Sequence, residues 1–196
     1  MGKFFEKPSA DLSERIPPKQ HLAKGFPVMT YGETPMVQTA EWELRVWGKA
    51  TPTTFSWQEF MDLPQSEFTD DFHCVTHWSK LDVQWAGVKV SDVMAKVTLQ
   101  PDATHVMLHC YGGYTTNLTI DDFLREQNFF AHTLSGEPLP VDHGGPLRLV
   151  VPHLYAWKSA KWIRGLEFLD HEELGFWERN GYHRRGEPWN EERYSS

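Results

Sequence analysis

The chain has 196 residues, 40% hydrophobic and 14% aromatic, which excludes global disorder because such a composition buries enough apolar surface to offset chain entropy. Nineteen basic residues against 27 acidic give a net charge of −8, which argues against general nucleic-acid binding, where a positive field must meet phosphates. No apolar run approaches the roughly 20 residues of a membrane span, and two cysteines exclude a disulfide scaffold and fit a reducing compartment.

The N-terminus, MGKFFEKPSADLSER, is too charged for a signal peptide, so a cytoplasmic location is expected. Residues 1–23 read as a flexible lead-in, with the first dozen mobile. Pro17, Pro18, Pro27 and Pro35, with Gly25 and Gly32, break regular structure. Phe26, Val28, Met29 and Tyr31 among them suggest an extended arm lying on a domain that runs from residue 24 to residue 196. In Glu41–Trp47, Trp42, Leu44 and Val46 alternate with charged residues, the period of a half-buried strand. Ser56 and Glu59 form a capping box for a short helix through Trp57, Phe60 and Leu63, stopped by Pro64. Glu67–Cys74 reads as a strand with Phe68, Phe72 and Cys74 on one side.

Ser91 starts a second short helix through Val93, Met94 and Val97. Thr104–Cys110 alternates again, with Val106, Leu108 and Cys110 on one face. Gly112-Gly113 marks a turn. Thr119 and Asp122 cap a helix containing Phe123 and Leu124. Leu147–Val151 and Ile163–Leu169 are short strands, and the aromatic, charged tail after Asp170 packs on the domain surface. No β-α-β alternation appears, so the expected fold is α+β: one domain of mixed β-sheets with short helices.

Three segments carry possible chemistry. In HCVTHWSKLD (73–82), Cys74 reads either as a small buried core residue or as a functional thiolate, favoured by nearby His73, His77 and Lys80. Cys74 and His77 also have zinc-ligand spacing, and His109 with Cys110 would complete four ligands. Neighbours on a strand point to opposite faces, however, so that pair serves one ion poorly. In the segment from His143 to Gly165, Arg148, Lys158, Lys161 and Arg164 stand without an acidic residue. Gly144-Gly145 there allows close backbone approach, which suits a phosphate or other anion; the alternative is a solvated basic face, with Lys158 in particular solvated. HCYGGYTTNL (109–118) is either the lining of a cofactor cleft or a hairpin turn.

Taken together and in order, HCVTHWSKLD, GGYTTNL, HGGPLRLVVPHLYAWKSAKWIRGLEF and the tail FWERNGYHRRGEPW resemble the sulfite oxidase-like, molybdopterin-dependent oxidoreductases, in their short stand-alone bacterial branch. The resemblance implies a mixed α+β domain around one molybdenum–molybdopterin cofactor. It makes Cys74 the protein ligand of the metal and assigns pterin binding to His143 and Arg148. Phosphate binding falls to Ser159 and Lys161, and Cys110 lies near a further pterin contact. The arm Phe26–Tyr31 is expected to touch the cofactor.

The implied reaction is oxygen-atom transfer to or from a small S- or N-containing substrate, with electrons exchanged with a separate partner, because no haem or immunoglobulin-like domain is recognised. His77, Ser79 and Lys80 stand where sulfite oxidases proper carry arginines, so sulfite is not the expected substrate. His77 is either a substrate-handling residue or a satisfied surface histidine. Two alternatives remain open: a cofactor-binding protein without turnover, and a zinc-stabilised binding module.

Overall fold

The computed structural model describes residues 5–6, 12 and 14–195. The expected mobility of the first dozen residues therefore falls mostly outside the described residues. Twelve strands form two sheets: β1 (Phe5–Glu6), β2 (His21–Ala23), β3 (Glu43–Gly48), β4 (Thr53–Ser56), β5 (Ser66–Cys74), β6 (Trp78–Lys89), β7 (His105–Cys110), β8 (Thr115–Thr119), β9 (Phe129–Leu134), β10 (Glu137–Pro138), β11 (Arg148–Val150) and β12 (Ile163–Leu169). Four short helices punctuate them: α1 (Trp57–Met61), α2 (Val90–Met94), α3 (Ile120–Phe123) and α4 (Phe176–Arg179).

The five-stranded sheet runs β4-β3-β12-β7-β8, with β3 and β12 parallel and the other pairs antiparallel. The seven-stranded sheet is organised by β6. One edge of β6 pairs with β5; the other is shared by β2, parallel at Trp78–Ser79, and β9, antiparallel from Trp85 to Lys89. The far edge of β9 carries β10 and β11. The α+β expectation is met.

Local chemistry explains the elements. Ser56 and Glu59 close a reciprocal capping box on α1, satisfying donors that the helix start leaves free. The Thr119 hydroxyl accepts from the Asp122 amide at the start of α3. Alternation places Leu44, Val46, Val106, Leu108 and Leu166 in the main core with the fully buried Phe60, Phe123, Phe130 and Phe168. Burying each such ring stabilises the fold by about 1.5–3 kcal/mol. A second cluster, built on Phe72, Trp78, Trp85, Phe129 and Tyr155, lies beside the end of the β5–β6 hairpin and supports the site.

Two readings change. The lead-in is anchored from Arg15: Arg15 pairs with Asp71; Ile16, Gln20 and Ala23 are buried; and β2 joins the sheet. Prolines 17 and 18 precede that strand rather than interrupting it, so they do not prevent docking. The second helix stops at Met94, short of Val97, which instead packs against the core.

Candidate functional site

The hairpin end that carries Cys74 is a three-residue loop, Val75–Thr76–His77, closed by the Cys74–Trp78 pair. His77, at its last position, is left-handed with φ 70°, as this loop length favours. That turn sends its ring outward: His77 is exposed, and its Nδ1 lies 3.1 Å from the Lys19 carbonyl oxygen. Cys74 faces the other way, onto a cleft of about 360 Å³. Its Sγ lies 3.2 Å from Thr76 Oγ1. Burial raises the thiol above its ordinary range, against the opposing Thr76 hydrogen bond.

The same cleft is lined by His143, Arg148, Ser159 and Lys161 from the segment spanning β11 and the start of β12. The 3-10 turn Val141–His143 ends on Gly144 at φ 111°, where a Cβ would come within 3.0 Å of the Lys161 side chain. Only glycine lets the chain pass so close under these cations. Arg148 is 3% exposed. Its Nη1 donates to the His143 carbonyl and its Nη2 to the Ser159 carbonyl, both at 2.9 Å. Its guanidinium sits 5.1 Å from the Phe72 ring centroid and 5.5 Å from that of Trp85. Burial presses it down to about 9, so it remains charged at neutral pH.

Lys161 Nζ donates to the Met29 carbonyl, the Thr30 hydroxyl and the Asp142 carbonyl, each at 2.8 Å. Burial, then the Arg148 charge, bring Lys161 down to about 7. Ser159 Oγ accepts from the Val151 amide at 2.9 Å, which leaves its hydroxyl hydrogen free to donate. Burial and the neighbouring Arg148 also lower His143, whose ring lies tilted against Phe26 with centroids 4.7 Å apart.

Among the described residues neither Arg148 nor Lys161 has a carboxylate partner. A buried cation without a counter-charge is costly. Arg148 has five N–H donors and spends two on well-formed hydrogen bonds. The donor set therefore fits a group that brings an anion, and the thiol on the same cleft fits a soft, thiolate-accepting metal.

The remaining walls are aromatic. The arm, expected from its mix of apolar residues and breakers to lie on the domain and from the family resemblance to reach the cofactor, supplies Phe26, Pro27, Met29, Thr30 and Tyr31. The tail does more than pack on the surface: Trp177 and Tyr182 form a wall of the cleft, and Tyr182 stacks on Trp177 with centroids 4.9 Å apart. Burial, then the nearby Tyr194 and Cys74 charges, push the Tyr182 phenol up. Its hydroxyl makes no hydrogen bond to the described residues. Sequence reasoning missed Thr76 and Tyr182; the tail motif contained Tyr182 but gave no sign of which tail residue turns inward.

Two expected site residues are not in the cleft. His77 points away from it for the reason given. Cys110 is 4% exposed on the core face of β7 with Val106 and Leu108, and borders a separate groove with His109 and Arg164. Burial pushes its thiol far up. The zinc alternative falls with this placement: among the described residues no three His, Cys, Asp or Glu side chains are grouped to hold a metal ion. Lys158 is not solvated either. It is 1% exposed, and its Nζ pairs with Glu178 Oε1 at 2.6 Å and bonds Asn117. It ties the tail helix α4 to the body.

Comparison with known proteins bears on the family and the fold. The model of the oxidoreductase molybdopterin binding domain matches residues 31–177. The chain is 44% identical over 194 residues to "Uncharacterized oxidoreductase YuiH" of Bacillus subtilis, covering 98% of each chain. It is 28% identical over 171 residues to "Putative protein-methionine-sulfoxide reductase subunit YedZ1" of Azospira oryzae, covering 85% of this chain and 65% of that one. Among solved structures, the sulfane dehydrogenase SoxCD of Paracoccus pantotrophus superposes with a TM-score of 0.65 at 18% identity, over 76% of this chain and 42% of that one. No helix among the described residues is long and apolar enough to cross a membrane.

Proposed function

The chain belongs to the sulfite oxidase-like family of oxidoreductase molybdopterin-binding domains, and from that premise we propose that it is a molybdenum enzyme moving an oxygen atom to or from a small, neutral S- or N-oxide. The family's cofactor is molybdopterin. The observation that carries the reading is one cleft bearing a thiol and two cations that form no ion pair with a carboxylate among the described residues.

In this reading Cys74 ligates the metal as a thiolate, Arg148 through its unspent donors and Ser159 through its hydroxyl hydrogen hold the pterin phosphate, Lys161 joins them by exchanging one of its three present acceptors for a phosphate oxygen, and His143 lies against the pterin. When bound, the cofactor supplies two-electron oxygen-atom transfer. The protein's part is positional. Phe26, Trp78, Trp157 and Trp177 exclude water and strengthen polar contacts within the cleft. Tyr182, whose hydroxyl makes no hydrogen bond to the described residues, donates a hydrogen bond to the substrate oxygen and steadies charge developing there. Taken as a reductase, the step consumes two electrons and two protons and turns a sulfoxide into a sulfide and water.

The lining supports a neutral substrate. With Arg148 and Lys161 committed to phosphate, the lining offers Tyr31, Thr76, Trp177 and Tyr182, and among the described residues no further cation for a dianion such as sulfite. The methionine-sulfoxide name of one relative points the same way. Electrons come from a separate redox partner, and the unpaired Cys110 fits a cytoplasmic setting. The test is metal analysis of the protein as isolated, followed by turnover of dimethyl sulfoxide, methionine sulfoxide and sulfite with reduced viologen or an oxidising dye. Near-stoichiometric molybdenum with preferential sulfoxide reduction is expected. Molybdenum without turnover of any of these would leave a cofactor-binding protein, and sulfite oxidation as the main activity would refute the neutral-substrate reading.

A further inference from the structure

The loop that bears Cys74 is held from behind by both ends of the chain. Gln20 Nε2 donates to the Cys74 carbonyl at 3.0 Å. Arg193 Nη1 donates to the Val75 carbonyl at 2.6 Å, and its Nη2 to the Pro18 carbonyl at 3.2 Å. The His21 amide donates to the His77 carbonyl at 2.9 Å. The loop's carbonyls at Cys74, Val75 and His77 are thus taken by groups far away in sequence.

Among these, Arg193 is the one cation. It is 6% exposed, and its guanidinium lies 4.9 Å from the Tyr155 ring centroid. Its carboxylate contact is loose: Nε stands 3.9 Å from Glu191 Oε1 and makes no hydrogen bond. A buried charge so weakly neutralised keeps much of its field at short range. It bonds the residue next to Cys74, and it does not line the cleft, so it touches neither substrate nor cofactor.

We propose that Arg193 is a positioning residue for the metal site, fixing the Cys74–His77 loop through the Val75 carbonyl and placing positive charge behind the Cys74 sulfur. The inference rests on the reading of Cys74 as molybdenum ligand. Two consequences can be separated by substitution. Arg193→Lys keeps the charge but cannot span two carbonyls as a planar fork does. Arg193→Gln keeps a donor and loses the charge. Because the oxidised metal is the more positive form, a neighbouring cation favours the reduced one, and removing that cation lowers the midpoint potential.

The experiment uses the loaded enzyme in wild-type, Arg193→Gln, Arg193→Lys and Cys74→Ser forms. The readouts are molybdenum per chain, melting temperature, and an electron paramagnetic resonance redox titration of the half-reduced metal. The expected result is a lower midpoint in Arg193→Gln, a wild-type midpoint in Arg193→Lys, and an altered line shape in both. Lower melting temperatures with unchanged midpoint and line shape would overturn the proposal, leaving Arg193 a purely structural anchor. If the Gln variant is isolated without metal, the Lys variant decides: an altered line shape supports the proposal and an unchanged one refutes it. Cys74→Ser distinguishes the two failures. A wild-type signal there defeats the ligand reading itself, whereas a changed signal there with no effect at Arg193 defeats only this inference.

Discussion

Replacing Arg148 and Lys161 together strips the cleft of its two carboxylate-free cations. Arg148 keeps donors unspent after binding the His143 and Ser159 carbonyls, and each charge-assisted hydrogen bond to a phosphate is worth about 1.5–3 kcal/mol. Losing one cation then weakens cofactor binding by about one to two decades. Losing both costs more, though not a simple sum, because the two charges are close enough to press on one another. Arg148→Met carries a second effect: it leaves two carbonyls short of a donor, at about 1–3 kcal/mol each if they stay dry. Lys161→Met is cleaner, since its three acceptors lie near solvent.

The assay is molybdenum per chain after purification, with exposed Lys96→Ala as the control. Lys158 is unsuitable for that purpose because its removal would strand Glu178 in the interior. The double variant is expected largely metal-free and, lacking ligand stabilisation, to melt lower than the loaded wild type. Full metal content in the double variant would refute the anion-site argument.

Tyr182→Phe should leave molybdenum content intact and lower turnover of a neutral sulfoxide by about 10²-fold, in the range for a lost hydrogen-bond donor to developing charge; unchanged turnover in steady-state kinetics would remove Tyr182 from the mechanism. Gly144→Ala should reduce cofactor content, because its Cβ would crowd the Lys161 and Arg148 side chains at 3.0–3.1 Å from a left-handed position, and metal analysis reads the outcome. Cofactor-free protein should gain stability as pH rises from about 7 towards 10: Lys161 is depressed to about 7 when folded and titrates near 10.4 when unfolded, so the unfolded chain binds the extra proton in that window. Lys161→Met should flatten the slope seen in thermal melts. Burial would raise Asp122, but hydrogen bonds from His153 and Arg185 hold it well below the usual carboxylate range. Asp122→Asn should therefore lower the melting temperature at neutral pH, and the difference from wild type should shrink as acid protonates the native carboxylate.

The elements read correctly from sequence are those in which one chemical signal dominates. β3 alternates cleanly because one face lies on the core, β7 alternates in sequence although Met107 on its other face is buried as well, and α1 and α3 announce themselves by their caps. The central strand β6 does not. It serves three neighbouring strands, and Asp82 takes a positive φ. The register shift opposite Asp70/Phe72, between Val83 and Lys80, resets its parity, and a second shift at Ala86/Gly87 puts the extra residue on β9, so no steady period survives. At the site, Cys74, His143, Arg148, Ser159 and Lys161 sit in local motifs whose residues the fold keeps together. Tyr182 and Arg193 reach the site only through tertiary packing of the tail. Cys110 was open to correction from the sequence itself: the alternation that puts Val106 and Leu108 in the core puts its sulfur there as well.

The account stands on the Cys74 sulfur binding molybdenum in this cleft. X-ray absorption at the molybdenum edge, on wild-type and Cys74→Ser protein, measures that directly. One sulfur neighbour fewer in the serine variant, with Cys110→Ser indistinguishable from wild type, is the predicted result. An unchanged sulfur count in Cys74→Ser would contradict it.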